Sequence, residues 1–103
     1  MSIHERIREQ VTSRPVVLYM KGTPQMPMCG FSATVTEILR HCGVEDYLAV
    51  NVLADEEVRQ GIKSYANWPT IPQLYVNGEF VGGADILREM YQSGELQQLL
   101  HKP

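Results

Sequence analysis

The chain of 103 residues fits one domain, expected to span residues 1–103, and its 44% apolar content is that of a globular rather than a disordered protein. A net charge of −3, with the Lys and Arg residues scattered, argues against nucleic acid, whose binding needs a basic face to displace counterions. Two cysteines, Cys29 and Cys42, are too few for a disulfide scaffold, and no His stands near them at zinc spacing.

Ile3, Ile7 and Val11 repeat every four residues, the stripe of a first amphipathic helix that Pro15 ends. Val16 to Met20 reads as a buried strand, and the following Lys21 to Met28, with Pro24, Pro27 and Gly22, as a loop. After Cys29, Phe31, Val35, Ile38, Leu39 and Cys42 are expected on one helical face, with Gly43 as the C-terminal stop. Tyr47 to Val52 is expected as a second strand. Asp55 then opens a helix with Val58, Ile62, Tyr65 and Ala66 on its buried side. Gln73 to Val76 and Glu79 to Val81 flank Asn77-Gly78, the strongest two-residue hairpin signal. Gly82-Gly83 is expected to break the second of these strands. Asp85 leads and caps a helix bearing Ile86, Leu87, Met90 and Tyr91, and Gly94 separates it from a last turn with Leu96, Leu99 and Leu100.

Strand, helix and strand in succession predict a parallel pair joined by a right-handed crossover, to which the hairpin adds two antiparallel strands. The expected fold is α/β and thioredoxin-like: a four-stranded mixed sheet flanked by helices on both faces. The longest apolar stretch, Val16 to Met20, is far short of the ~20 residues that span a bilayer. The start lacks the apolar core of a secretory signal, and Glu5 and Glu9 argue against an uncleaved transit peptide. The expectation is a reducing, aqueous compartment, the cytoplasm, although an organelle protein already cleaved would look the same.

Cys29 falls where loop meets helix. There the first backbone N–H groups are unpaired and the helix dipole favours a thiolate, the form that attacks disulfides and binds metal. Lys21 adds a positive charge. Taken alone, Cys29 also reads as an ordinary buried cysteine. Cys29-Gly30-Phe31-Ser32 has the spacing of a C-x-x-C redox motif, with serine in the last place. Ser32 cannot resolve a mixed disulfide, so whatever Cys29 captures must leave by attack of an external thiol, for which glutathione is the abundant candidate. Cys42 lies more than two helical turns away, roughly 20 Å along the axis, and is expected in the core rather than in a disulfide with Cys29.

Two further segments fit that ligand. Trp68-Pro69-Thr70-Ile71-Pro72 precedes the hairpin, and a cis proline there leaves the Ile71 backbone free to pair with an extended peptide. Gly82-Gly83-Ala84-Asp85 opens a helix whose free amides suit a carboxylate and whose Asp85 can receive an ammonium group. Glutathione has two carboxylates, one ammonium and one thiol. Lys21 and Arg59 would take one carboxylate, the Ala84 and Asp85 amides the other, Asp85 the ammonium, and Ile71 and Cys29 the thiol end. Each residue taken alone reads more readily as a solvated charge or an ordinary turn. The joint fit to one tripeptide carries the reading.

Lys21-Gly22-Thr23-Pro24 through Cys29-Gly30-Phe31-Ser32, then Trp68-Pro69-Thr70-Ile71-Pro72-Gln73 and Gly82-Gly83-Ala84-Asp85-Ile86, resemble the signatures of CGFS-type monothiol glutaredoxins, over essentially the whole chain. The resemblance implies a thioredoxin-like fold, glutathione bound by Lys21, Arg59, Ile71, Ala84 and Asp85, and a [2Fe–2S] cluster on Cys29. Ala84 departs from the cysteine or serine of many relatives, but that position contributes backbone. A [2Fe–2S] centre takes four thiolate-type ligands. One Cys29 from each of two chains and two glutathiones would complete the set. The expected function is therefore a cluster carrier, a cluster-bridged homodimer that passes its cluster to iron–sulfur recipient proteins. The Pro24-to-Pro27 loop would shape the interface, and a BolA-like protein would replace one subunit. The alternative is a glutathione-dependent thiol-disulfide oxidoreductase that removes glutathione from protein cysteines. A third, a redox-inert adaptor, leaves Cys29 without a role.

Overall fold

A computed structural model describes residues 1–101. In chain order its elements are α1 (Ile3–Ser13), β1 (Val16–Met20), α2 (Gly30–His41), β2 (Leu48–Asn51), a 3-10 turn (Val52–Ala54), α3 (Glu56–Ala66), β3 (Gln73–Val76), β4 (Glu79–Gly82), α4 (Ala84–Ser93) and α5 (Glu95–Leu100). The sheet order is β2-β1-β3-β4. β1 pairs parallel with β2 (Val17 opposite Leu48) and antiparallel with β3 (Val16 opposite Val76). β3 and β4 form the hairpin, with an irregularity between Leu74 and Tyr75.

β1 is central, so both of its faces are covered and all five of its residues are buried. The period of two sends Val16, Leu18 and Met20 to one face, with Val35, Leu39 and Leu87 from α2 and α4. Val17 and Tyr19 go to the other face, with Ile7 of α1 and Val58 and Ile62 of α3. The hairpin turn has φ of 53° at Asn77 and 83° at Gly78, the left-handed pair that its two-residue type demands. Gly43, at φ 77°, ends α2. Its N–H donates to Arg40 and that of Val44 to Leu39, the paired bonds of a Schellman stop.

Four local expectations change. β2 is shorter than Tyr47 to Val52, because Asn51 Oδ1 accepts the Leu53 N–H and turns the chain into the 3-10 segment. β4 reaches one residue beyond Val81 and ends at Gly82, so the break falls at Gly83, and Ile86 covers Gly82 so closely that a Cβ there would lie 2.7 Å from it. Ile86 is correspondingly exposed rather than part of the buried stripe of α4. On α2 the buried residue of the first turn is Ser32, not Phe31: Ser32, Val35, Ile38, Leu39 and Cys42 share a face, and Phe31 lies about 100° off it.

Candidate functional site

Cys29 is the N-cap of α2, in extended backbone geometry, with a half-buried side chain that makes no capping bond. The thiol is lowered from its ordinary range chiefly by the Ser32 backbone N–H. Partial burial opposes this; the Phe31 N–H, the Lys21 charge and the Ser32 hydroxyl add to it. The helix N-terminus thus does what the sequence led us to expect. Cys42 is the opposite case. It is free, buried in the core, and its thiol is raised by burial.

Ser32 is fully buried and its Oγ accepts the Lys21 N–H at 3.1 Å, fastening the end of β1 to the first turn of α2. Between them the loop closes as a small hairpin. Gly22 bridges Pro27, the Met28 N–H donates to Lys21 at 2.9 Å, and Thr23 and Met26 exchange backbone bonds of 3.0 and 3.2 Å. The Gly22 N–H donates to Asn51 Oδ1 at 2.9 Å. A Cβ at Gly22 would sit 2.5 Å from the Met26 carbonyl oxygen, and φ is +88°, so only glycine fits there.

The second wall is Trp68 to Pro72. The Ile71–Pro72 peptide is cis, and among the described residues no hydrogen bond engages the Ile71 backbone. Gln73, fully buried, props this wall: its Nε2 donates to the carbonyls of Trp68 and Thr70 at 3.2 Å, and its Oε1 accepts from the Tyr75 hydroxyl. Trp68 packs on Phe80 and lies against Gly83, where a Cβ would come within 3.0 Å of Nε1.

The third wall is the start of α4. Here the sequence expectation is corrected: the N-cap is Gly83, with no side-chain cap, and Asp85 stands inside the first turn with its side chain exposed. The Ala84 and Asp85 N–H groups are therefore left unpaired by the helix and the Asp85 carboxylate is free to meet a ligand.

These walls enclose an open cleft of about 380 Å³ that brings together five of the six residues singled out from sequence: Lys21, Cys29, Ile71, Ala84 and Asp85. Arg59 does not line it. Its guanidinium lies 3.8 Å from Glu56, and its Nε is buried without a partner. Lys63 lines the cleft instead, one helical turn beyond Arg59 on the same face of α3. That i, i+4 spacing was the available signal. The cleft thus has the lowered Cys29 thiol at its centre, cations at one end, and free amides with a carboxylate at the other. No group of three or more His, Cys, Asp and Glu among the described residues could itself hold a metal ion.

Residues 16–81, which carry β1, Cys29 and the cis-proline wall, match the model of the Glutaredoxin family. The chain belongs to that family. A Synechocystis sp. protein named as a monothiol glutaredoxin, uncharacterized and ycf64-like, is 59% identical over 92% of this chain and 88% of its own. The zebrafish mitochondrial glutaredoxin-related protein 5 is 57% identical over 95% of this chain, which spans only 63% of that relative. Among solved structures, reduced apo GrxS14 of poplar superposes with a TM-score of 0.82 at 51% identity, over 95% of this chain and 89% of that one. As a glutaredoxin with serine at position 32, the chain is of the monothiol kind, and its fold is thioredoxin-like. No helix among the described residues is long and apolar enough to cross a membrane.

Proposed function

We propose that this glutaredoxin is an iron–sulfur cluster carrier, in which Cys29 of two copies and two glutathiones hold a [2Fe–2S] cluster as cargo for recipient proteins. The observation that carries the reading is one accessible, ionisable thiol in a cleft of tripeptide character, with the only other cysteine buried in the core. Four thiolate-type ligands are needed and one chain supplies one, so the rest come from a second chain and from small thiols. Lys21 and Lys63 take one glutathione carboxylate, with Arg59 extending the line of cations. The Ala84 and Asp85 amides take the other carboxylate, Asp85 the ammonium, and the Ile71 backbone pairs with the cysteinyl unit. A BolA-like protein would take the place of one copy. The compartment is a reducing aqueous one, the cytoplasm.

Anaerobic reconstitution with iron, sulfide and glutathione tests this. Visible cluster absorption should develop in the wild type and be absent without glutathione or in Cys29→Ser. Assembly in that variant would refute it. The lowered, accessible Cys29 thiol also favours a second reading, glutathione-dependent reduction of glutathionylated proteins. Vigorous turnover on a glutathionylated protein by a preparation that assembles no cluster would promote it over the first.

A further inference from the structure

Gln73 opens β3 fully buried, and it does not line the cleft. The strand's period of two puts it on the face of Tyr75, in the apolar layer under α1 and α3. A buried amide must be satisfied, and both ends of this one are. Nε2 donates to the Trp68 and Thr70 carbonyls at 3.2 Å, and the Tyr75 hydroxyl donates to Oε1 at 3.1 Å. Carbonyls cannot donate, so the nitrogen has to face them and the oxygen the hydroxyl. Burial pushes the Tyr75 phenol up, which keeps its proton in place as the donor. The wall has few bonds of its own. Pro69 and Pro72 carry no N–H, and the Trp68 N–H donates to Lys63 at 3.0 Å. No backbone N–H among the described residues reaches the Trp68 or Thr70 carbonyl. The Thr70–Ile71 peptide is trans and planar, so its carbonyl and the Ile71 N–H point in opposite directions. Gln73 draws that carbonyl inward, which turns the Ile71 N–H away from the core at a residue that lines the cleft.

We propose that Gln73 is the positioning residue of the glutathione site: by holding the Thr70 carbonyl it aims the Ile71 N–H at the backbone of the cysteinyl unit. This rests on the glutathione reading of the cleft given above. Gln73 touches no ligand and acts only through the Thr70–Ile71 peptide. A carbonyl that accepts a bond also polarises the N–H of its own peptide group, so the same contact strengthens the donor it aims.

The test compares the wild type with Gln73→Met, which keeps the length of the side chain but strands the Tyr75 hydroxyl, and with Gln73→Met/Tyr75→Phe, which removes that hydroxyl as well. Glutathione affinity is measured by titration calorimetry, alongside the melting temperature and the pH profile of Cys29 alkylation. Gln73→Met should bind glutathione about tenfold more weakly, the worth of one well-aimed hydrogen bond. The double variant should regain most of the melting temperature lost by the single one, yet none of the affinity. The alkylation profile should stay that of the wild type in both, because the N–H groups that lower Cys29 belong to α2. Unchanged affinity in Gln73→Met overturns the proposal. So does affinity that returns with the melting temperature, since Gln73 would then only support the fold. The wild type supplies a measurement that no folding defect can spoil: on addition of glutathione the Gln73 side-chain amide signals should shift together with the Ile71 backbone amide. An Ile71 shift with Gln73 unmoved overturns the proposal too. A wild type that binds no glutathione refutes the reading of the cleft itself, a failure seen before any variant is made.

Discussion

Replacing Ser32 by alanine separates two jobs that meet at one side chain. The hydroxyl accepts the Lys21 N–H at 3.1 Å in a fully buried position, so its removal strands that donor. A stranded buried N–H costs about 1–3 kcal/mol, and at about 4–5 °C per kcal/mol for a domain of this size the melting temperature should fall by roughly 5–15 °C. The thiol should respond far less. Its largest stabilising contact is the Ser32 backbone N–H, which alanine keeps, and the hydroxyl is the least of the contributions. Thermal unfolding and the pH dependence of Cys29 alkylation by iodoacetamide, with Cys42 shielded in the core, read the two effects separately. A variant with unchanged melting temperature and a Cys29 returned to ordinary thiol behaviour would refute the reasoning, because the hydroxyl rather than the helix terminus would then hold the thiolate.

Other expectations follow from the same geometry. Lys63→Met should weaken glutathione binding about tenfold, the loss of one charge-assisted contact, by titration calorimetry; unchanged affinity would remove Lys63 from the site. Gly22→Ala forces a Cβ towards the Met26 carbonyl at positive φ, so it should cost at least about 1 kcal/mol and speed amide exchange at Met26 and Met28, whose N–H groups close the loop. Comparison with Cys29→Ser should show a pH-dependent stability term. Between the lowered native value and the ordinary ~8.5, the unfolded chain holds a proton that the native chain has given up. Wild-type stability in urea should therefore rise with pH relative to the variant and lose that advantage as pH falls through the native value. A flat difference across that window would mean the thiol is not shifted by folding.

Much of this was legible in the sequence because local chemistry and tertiary structure agree. The buried run Val16 to Met20, Asn77-Gly78 at the hairpin and Gly43 after α2 each demand a conformation that the fold then uses. Cys29 at a helix start could be placed by the same logic, since the unpaired amides follow from the helix itself. What escaped depends on three-dimensional neighbours. Serine and phenylalanine exchange their expected places at the start of α2 because a buried hydroxyl has a partner in Lys21, 11 residues away, which no periodicity reveals. Lys63 rather than Arg59 reaches the cleft because the path of the chain after α3 decides which turn of the helix faces Cys29. Gln73 reads as a strand residue, yet its buried amide organises the Trp68 to Pro72 wall. The capping role expected of Asp85 fell to Gly83, and the carboxylate was left open to the cleft.

The most direct test of the carrier account is the composition of the cluster-loaded species. Protein isolated without oxygen should sediment as a dimer, with two irons, two sulfides and two glutathiones for every two chains. A cluster carried by a monomer, or one retained after every glutathione has been removed, would contradict it.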